Sequence, residues 1–266
     1  MVRLALVAPI YALLFLIASC TYNEQLGRNQ LLLTGEGSMA QAAAQSWQQI
    51  KSQGQVSTDP RYTSRLNRVA PRVLQAAGEN PAAWEFIVFE DESLNAFALP
   101  GNRFAIHTGI MDIMENDAQL ATVVGHEIAH VLYRHSSERY SQNILASVGM
   151  VGASVALGSN CEGTAQQRRA CEQRSSQAIQ ALGIGALYGA ILPYSRKHEL
   201  EADTGGVRYM AQAGYDVCES LDFWRRMAAE SEGQQRPPEF ASTHPASGTR
   251  IQNLTAVVNS IGRRCT

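Results

Sequence analysis

Apolar residues recur at helical spacing over much of the chain, and a short central region alternates with the period of strands. The helical pattern predicts helices over about 38–52, 60–77, 118–136, 196–213, 217–231 and 246–261. The strand pattern predicts short strands at 84–89, 95–99 and 104–107, with a turn at Pro100-Gly101 before the last of them. We therefore expect an α+β fold that is mostly helical, with a small β-sheet beside one of the helices.

Two further segments, Ile144–Gly158 and Ala178–Leu192, are apolar and rich in small residues. Each has about 15 residues, which is shorter than the roughly 20 residues that span a bilayer. We interpret them as a pair of buried helices. The alternative is a surface that contacts lipid or an apolar substrate.

The first twenty residues have the layout of a secretory signal. Arg3 is the only charge before Cys20, and an apolar run ending in small residues separates the two. The last four of these residues resemble the bacterial lipobox, which implies removal of residues 1–19 and lipidation of Cys20; the alternative is an uncleaved membrane anchor. The residue after Cys20 is Thr21 and not Asp. By resemblance to known lipoprotein sorting rules, this implies that the protein is located at the outer membrane. Residues 20–36 are polar and are predicted to be a tether.

Composition places the chain among folded proteins and removes one class of partner. Hydrophobic residues make up 45% of the chain and charged residues 17%, whereas disordered chains combine low hydrophobicity with high net charge. The formal net charge is -2, and no run of Lys or Arg stands out. We therefore expect no nucleic-acid partner.

The cysteines indicate disulfide bonds. Beyond Cys20 the chain has four more, and an even number in an exported protein favours two disulfides, with three pairings open. We favour Cys161–Cys171, which closes a short polar loop, and Cys218–Cys265, which fixes the C-terminus. Such bonds are typical of an oxidising compartment such as the periplasm.

One predicted helix contains the H-E-x-x-H pattern, with His126, Glu127 and His130. Residues four apart on a helix project from the same face, so both imidazoles can bind one zinc ion. Glu127 can reach a water molecule at that ion and take its proton. Apolar residues flank the motif, and burying these polar side chains there without a cation would be costly. The pattern therefore predicts a catalytic zinc site.

Catalytic zinc sites have three protein ligands and one open position. The best candidate for the third ligand is Glu199, and Asp203 is again four residues further along the same predicted helix. One of them can bind zinc while the other accepts the outer N–H of a ligating histidine. Glu201 lies roughly 200° around that helix from Glu199 and is expected to point elsewhere.

The two motifs together resemble those of zinc metallopeptidases of the HtpX and CAAX-prenyl-endopeptidase type, which include mitochondrial stress proteases. Within that family the sequence is most similar to periplasmic lipoprotein members such as LoiP and BepA, over about residues 60–260. The resemblance implies a zincin-type fold, with an active-site helix beside the small sheet. It also implies that residues 37–266 form the zinc metallopeptidase domain.

The family pattern implies a role for each residue of the two motifs. His126, His130 and Glu199 bind one zinc ion per chain. Glu127 is the general base, and Asp203 supports a zinc ligand from behind.

Residues outside the two motifs also match the family pattern. Asn95, Ala96 and Phe97 are implied to lie at the cleft, where an extended substrate can add as a β-strand. His244, before a Pro, is implied to lie near the metal. It is either a catalytic residue that stabilises the oxyanion or a ligand that occupies the fourth coordination position and holds the enzyme inactive. The alternative is a loop residue that caps a helix. Arg250 either binds a substrate carbonyl or Glu199, or forms an ordinary salt bridge.

These features predict a zinc endopeptidase at the periplasmic face of the bacterial outer membrane, anchored by lipid on Cys20. The resemblance implies misfolded or misassembled envelope proteins as substrates and outer-membrane assembly proteins as candidate partners. The alternative is an envelope chaperone or assembly factor that uses the same cleft with little or no proteolysis.

Overall fold

The computed structural model describes residues 20–158, 161, 164–186, 192–231, 240, 244 and 248–265; the predicted signal peptide lies outside them. The described chain forms two compact units. One contains the residues up to Thr34 together with Ser136–Lys197, and the other contains Gly35–His135 together with the residues from His198 onward.

The larger unit begins with helices α1 (Glu36–Gln53) and α2 (Pro60–Ala76). Asp59 caps α2 by accepting the Arg61 backbone N–H at 2.8 Å, and Pro60 occupies the first turn, where its missing N–H costs nothing. One face of α2 is fully buried, as its helical spacing predicts. Trp47 of α1 joins the core and packs with residues of the sheet.

The sheet follows a short 3-10 helix (Pro81–Ala83) and contains β3 (Glu85–Phe89), β4 (Ala96–Leu99) and β5 (Arg103–His107). Strands β1 (Cys20–Asn23) and β2 (Arg28–Leu31) form a hairpin in the other unit. Strand β5 is central, parallel to β3 and antiparallel to β4. The structure therefore confirms the predicted strands to within a residue. In the described part of the chain, β4 has no strand on its outer side.

Helices α3 (Thr108–Asp112) and α4 (Asp117–Leu132) come next, and α4 is buried from Gln119 to His130. The pattern predicted that this helix would continue to residue 136. It ends earlier because Arg134 adopts a left-handed conformation, with φ of 54°, which ends the helix. The chain then starts a new helix at His135.

The remaining helices of the larger unit are the C-terminal part of α7 (Leu192–Gln212), then α8 (Cys218–Ser231) and α9 (Gly248–Ser260). Helices α4 and α7 cross in backbone contact at Gly125 and Gly206. A Cβ atom added at Gly206 would lie 2.7 Å from the His126 backbone nitrogen, closer than such atoms approach. The absence of side chains at this crossing brings the two motif-bearing helices together.

The smaller unit contains β1 (Cys20–Asn23), β2 (Arg28–Leu31), α5 (His135–Gly158) from its second residue, and α6 (Ala165–Ala186). The segment predicted as a tether thus includes an antiparallel hairpin. Arg28 holds this hairpin in place, because the Arg28 guanidinium donates to both carboxylate oxygens of the buried Glu138, at 2.7 and 2.8 Å.

The apolar segment Ile144–Gly158 is not buried along its described length, so the interpretation as a buried helix is wrong there. Leu145, Val148 and Val151 are 43%, 63% and 63% exposed. Periodicity shows which residues share a face of α5 but not which face is covered, and here the buried face carries Glu138 and other polar side chains. The second segment, Ala178–Leu192, lies mostly outside the residues whose side chains are described.

Both predicted disulfides are present, Cys161–Cys171 in the smaller unit and Cys218–Cys265 in the larger one. Among the described helices, none combines the length and apolar character needed to cross a bilayer.

Candidate metal centre

Helices α4 and α7 bring the three predicted zinc ligands together in the buried interior of the larger unit. The Nε2 atoms of His126 and His130 face each other at 3.1 Å. Glu199 places Oε2 at 3.3 Å from His126 Nε2 and Oε1 at 3.4 Å from His130 Nε2. The two helices therefore aim three donor side chains at one point.

His244 completes a group of four. Its Nδ1 lies 3.2 Å from His126 Nε2 and 2.9 Å from Glu199 Oε2. The donor atoms of all four residues lie within 4.8 Å of one another. The sequence predicted that His244 would be near the zinc, and the structure places it at the fourth corner of the group.

The donor set fits a tetrahedral metal ion. With zinc–nitrogen bonds of about 2.0–2.1 Å, neighbouring ligands of a tetrahedral site are separated by about 3.3 Å, close to the separations seen here. Glu199 Oε1 is buried and accepts no hydrogen bond from any described residue. Such an atom is costly to bury unless a cation compensates it.

A carboxylate and an arginine hold the first imidazole from behind. His126 donates from Nδ1 to Asp203 Oδ1 at 3.0 Å, which leaves its Nε2 directed at the centre. Arg250 donates to both oxygens of Asp203, at 2.7 and 2.6 Å, and its guanidinium stacks 3.7 Å from the Trp224 ring centroid. Arg250 also donates to the His244 backbone carbonyl at 2.9 Å, so one side chain links two parts of the site.

Burial and the neighbouring charges shift the pKa values of the three predicted ligands in different directions. Burial lowers the pKa of His126, but the hydrogen bonds that this imidazole donates to Asp203 and Glu199 outweigh burial and raise the pKa to about 9. Burial dominates at His130 and lowers its pKa well below the usual range. Burial raises the pKa of Glu199, but the surrounding histidines outweigh it and hold it well below normal, so this carboxylate is ionised.

Glu127 stands beside the four-residue group rather than in it. Its Oε2 accepts the Ala98 backbone N–H at 3.0 Å, which ties it to the outer edge of β4. Its Oε1 lies 3.3 Å from His244 Nε2 and accepts no hydrogen bond from any described residue. Burial raises the pKa of Glu127 above the usual range of a carboxyl group, which makes this carboxylate a better proton acceptor than an exposed one.

The predicted substrate strand lies next to Glu127, but the contact differs in detail. We predicted Asn95, Ala96 and Phe97, whereas the residue that bonds Glu127 is Ala98, through its main chain. The Phe97 ring packs at 6.4 Å edge-on to Trp47, on the core side of the sheet. Arg250 was predicted to bind a substrate carbonyl or Glu199, or to form an ordinary salt bridge. In the structure it forms a bidentate salt bridge with Asp203, and its Nη1 lies 3.4 Å from Glu199 Oε2.

The residues behind His130 were not predicted from the sequence. His130 Nδ1 lies 2.9 Å from His135 Nδ1, and His135 Nε2 lies 3.1 Å from Glu201 Oε2. The His198 ring stacks on His135 with centroids 4.3 Å apart. The available signal was a third histidine five residues after the motif, but helical spacing does not place it beside His130, because the helix breaks at Arg134.

Comparison with known proteins agrees with this site. The profile of Peptidase family M48 matches residues 59–258. The chain is 33% identical over 232 residues to the mitochondrial metalloendopeptidase OMA1 of Schizosaccharomyces pombe, which covers 85% of this chain and 62% of that protein. It is 29% identical over 205 residues to a putative beta-barrel assembly-enhancing protease of Vibrio cholerae, covering 76% of this chain and 40% of that protein.

A similar match is found to the beta-barrel assembly-enhancing protease of Escherichia coli, at 28% identity over 217 residues, covering 80% of this chain and 42% of that protein. The chain thus spans between 40% and 62% of the length of these relatives. The family profile covers most of the chain and contains both metal-binding motifs, as the motif resemblance predicted. The chain therefore belongs to peptidase family M48.

Proposed function

We propose that the protein is a zinc-dependent endopeptidase of the bacterial envelope. The observation that carries this proposal is the convergence of His126, His130 and Glu199 on one point, with Glu127 beside them on the edge of β4. A structural zinc site has no use for a neighbouring base, whereas a catalytic site needs one to activate water. Here a buried carboxylate with a raised pKa adjoins the centre.

The chain's own groups divide the work of hydrolysis. A bound zinc ion supplies a Lewis acid for the scissile carbonyl and lowers the pKa of water toward neutrality. Glu127 takes the proton of the attacking water on Oε1, since Oε2 is held by Ala98, and then gives it to the departing amine. Asp203 and Arg250 keep His126 in the tautomer that directs Nε2 at the centre.

Strand β4 supports the choice of an extended polypeptide as substrate. Its register with β5 pairs Ala96 with Ile106 and Ala98 with Phe104, and the His107 N–H donates to the Asn95 carbonyl at 3.0 Å. In an antiparallel pair, the main-chain N–H and C=O groups of successive residues point alternately toward the partner strand and away from it. Those of Ala96 and Ala98 therefore face outward. A substrate strand added there would lie beside Glu127.

The proposed location rests on the N-terminal sequence and the disulfides. The lipobox-like residues before Cys20 support a lipid anchor, and Thr21 supports the outer membrane. Two disulfides support an oxidising compartment. Relatives named for beta-barrel assembly support envelope proteins as substrates, and outer-membrane assembly proteins as partners.

Purified protein lacking residues 1–19 should cleave a reduced, unfolded polypeptide and stop when a chelator removes its metal. Zinc added back in stoichiometric amount should restore the rate, and it should do so better than manganese or magnesium. Protein that holds zinc but suppresses aggregation without cleavage would instead support a chaperone.

Lipid anchoring is tested separately, by growing cells with a labelled fatty acid. The label should be incorporated into the wild-type protein and should be absent from Cys20→Ser.

Zinc binding should become tighter as pH rises. Because the pKa of His126 in the metal-free protein is about 9, this imidazole carries a proton at neutral pH that the metal must displace. The dissociation constant should therefore fall about tenfold per pH unit between about pH 6.5 and 8, measured by competition with a chromophoric chelator. An affinity that does not change with pH would contradict this protonation.

The same pKa predicts how pH affects the metal-free protein. The value for His126 is raised above that of the unfolded chain, so its stabilising contribution is complete below about pH 6.5 and is lost as pH rises through about 9. Asp203→Asn should weaken both dependences, since a neutral amide does not favour the charged imidazole. Thermal unfolding in chelator across this pH range measures the effect.

Replacing His244 should activate the enzyme. Its Nδ1 lies within the ligand group, where it competes with water for the fourth position. His244→Ala should raise the rate of peptide hydrolysis by about tenfold, which corresponds to ~1.4 kcal/mol of inhibitory contact. His107→Ala, on β5 and outside the four-residue group, is the matched control. A large fall in the rate would show that His244 stabilises the transition state instead.

A further inference from the structure

We propose that His135 and Glu201 are positioning residues for the metal centre, and that His135 accepts the Nδ1 proton of His130. The inference rests on the proposed metal centre, because it concerns how one of its ligands is held. It gives His130 a support that differs from that of His126, whose Nδ1 bonds Asp203 directly.

The contacts form an unbroken buried chain. His130 Nδ1 and His135 Nδ1 are 2.9 Å apart, and His135 Nε2 is 3.1 Å from Glu201 Oε2. His135 is fully buried, and Glu201 is partly buried. The His198 ring stacks on His135 with an interplanar angle of 15°, which fixes the plane in which both nitrogens bond.

Proton counting gives the direction of each bond. A neutral imidazole has one N–H and one lone pair. If His130 binds metal through Nε2, its proton must be on Nδ1, so it donates to His135. His135 Nδ1 must then carry a lone pair, and its own proton lies on Nε2, where Glu201 accepts it. Each group in the chain thus fixes the tautomer of the next.

The same count argues against a second metal ion behind the first. The donor atoms of His135, His198 and Glu201 lie within 4.8 Å of one another, which by distance alone would suit a cation. However, His135 would have to bind it through Nε2, which would force its proton onto Nδ1, against the proton of His130 at 2.9 Å. The hydrogen-bonded chain and the second metal are therefore mutually exclusive.

The chain has a chemical consequence for the metal ligand. An acceptor behind a ligating histidine raises the basicity of the coordinating nitrogen and fixes the ring orientation, and its loss typically lowers metal affinity by about 10–100-fold. The carboxylate of Glu201 strengthens the acceptor by stabilising positive charge on His135. We therefore expect both residues to affect metal affinity although neither touches the metal.

The direct test is nitrogen NMR of the zinc-loaded protein with labelled histidine. His135 should show an unprotonated Nδ1 and a protonated Nε2, and His130 should show a protonated Nδ1 with Nε2 bound to zinc. A proton on His135 Nδ1 would overturn the proposal, as would two zinc ions per chain. A protein that binds no zinc would instead refute the proposed function, so the two failures are distinguishable.

Variants provide an independent readout through zinc affinity, measured by chelator competition. His135→Leu removes the acceptor and should weaken zinc binding about 10–100-fold. His135→Asn keeps an acceptor oxygen at the position of Nδ1 and should recover part of that loss, which filling the space alone would not do. His107→Gln is the matched control and should bind zinc like the wild type. Equal affinity in the Leu variant and the wild type would overturn the proposal.

Glu201 is tested with a pair of variants of nearly equal size. Glu201→Gln keeps an acceptor oxygen for His135 but removes the charge, so it should weaken zinc binding less than Glu201→Leu does. Both should leave the His126 Nδ1 signal unchanged, because that ring is held by Asp203. Equal zinc affinity in the wild type and Glu201→Leu would remove Glu201 from the proposal.

Discussion

Glu127→Gln should abolish most peptide hydrolysis while leaving zinc in place. The amide cannot take a proton from water, so we expect the rate constant for hydrolysis to fall by about 10²–10⁴-fold. Zinc should remain, because Glu127 stands outside the four-residue ligand group. The Ala98 N–H can still bond the amide oxygen, so the fold of the edge strand should not change. Cleavage of an unfolded polypeptide, together with zinc content, measures both expectations.

The control for Glu127→Gln is the same exchange at the exposed Glu172, which should have wild-type activity. If Glu127→Gln retained bound zinc and cleaved as fast as wild type, Glu127 would not be the general base. If it lost both zinc and activity, Glu127 would act in metal binding, and the division of roles proposed here would be wrong.

Gly206→Ala should distort the metal centre, although Gly206 is not one of the predicted metal ligands. The added Cβ would lie 2.7 Å from the His126 nitrogen and 3.0 Å from its Cα, both of them backbone atoms of α4. Helices α4 and α7 would have to separate, and overpacking of this kind costs about 1–3 kcal/mol. Since α4 carries His126 and His130 while α7 carries Glu199, the separation should also weaken zinc binding. Denaturant unfolding and chelator competition measure the two effects.

Gly152→Ala is the matched control for this prediction. Gly152 lies in helix α5, and among the described residues an added Cβ would have no atom within 4 Å outside the adjacent turns of its own helix backbone. Alanine is the better helix former, so this exchange should leave zinc affinity unchanged and stabilise the helix by up to about 1 kcal/mol. Equal zinc affinity and stability in Gly206→Ala and wild type would show that the crossing tolerates a methyl group.

Local patterns predicted the elements that build the site. Pro60 after a capping Asp marks the start of α2, and the change of period after residue 83 marks the sheet, so both were placed to within a residue or two. The spacing of His126 and His130 was sufficient to aim both imidazoles at one ion. These features depend on neighbours in sequence, which a pattern can record.

The arrangement around the ligands depends on distant contacts and was only partly predictable. The sequence favoured Glu199 as the third ligand, but helical spacing put Asp203 on the same face, and the family resemblance was needed to assign a separate role to each. The structure distinguishes them, because Glu199 reaches both Nε2 atoms and Asp203 reaches His126 Nδ1. Glu201 was expected to point elsewhere, and it does so toward His135.

Two features had no signal in the sequence. The left-handed conformation of Arg134, at a residue that is not glycine, ends α4 and turns His135 back toward His130. The exposed face of α5 carries apolar residues of the kind that a core helix has. Burial depends on what covers a face and not on the residues of that face, so the sequence did not reveal the exposure. Both features depend on the fold around them.

Zinc binding at the four-residue group is tested most directly by an anomalous diffraction map of the purified protein, recorded on both sides of the zinc absorption edge. We predict one zinc ion per chain, at about 2.0–2.2 Å from His126 Nε2, His130 Nε2 and an oxygen of Glu199. Fully folded protein without a peak between these side chains, after loading with stoichiometric zinc, would contradict the account.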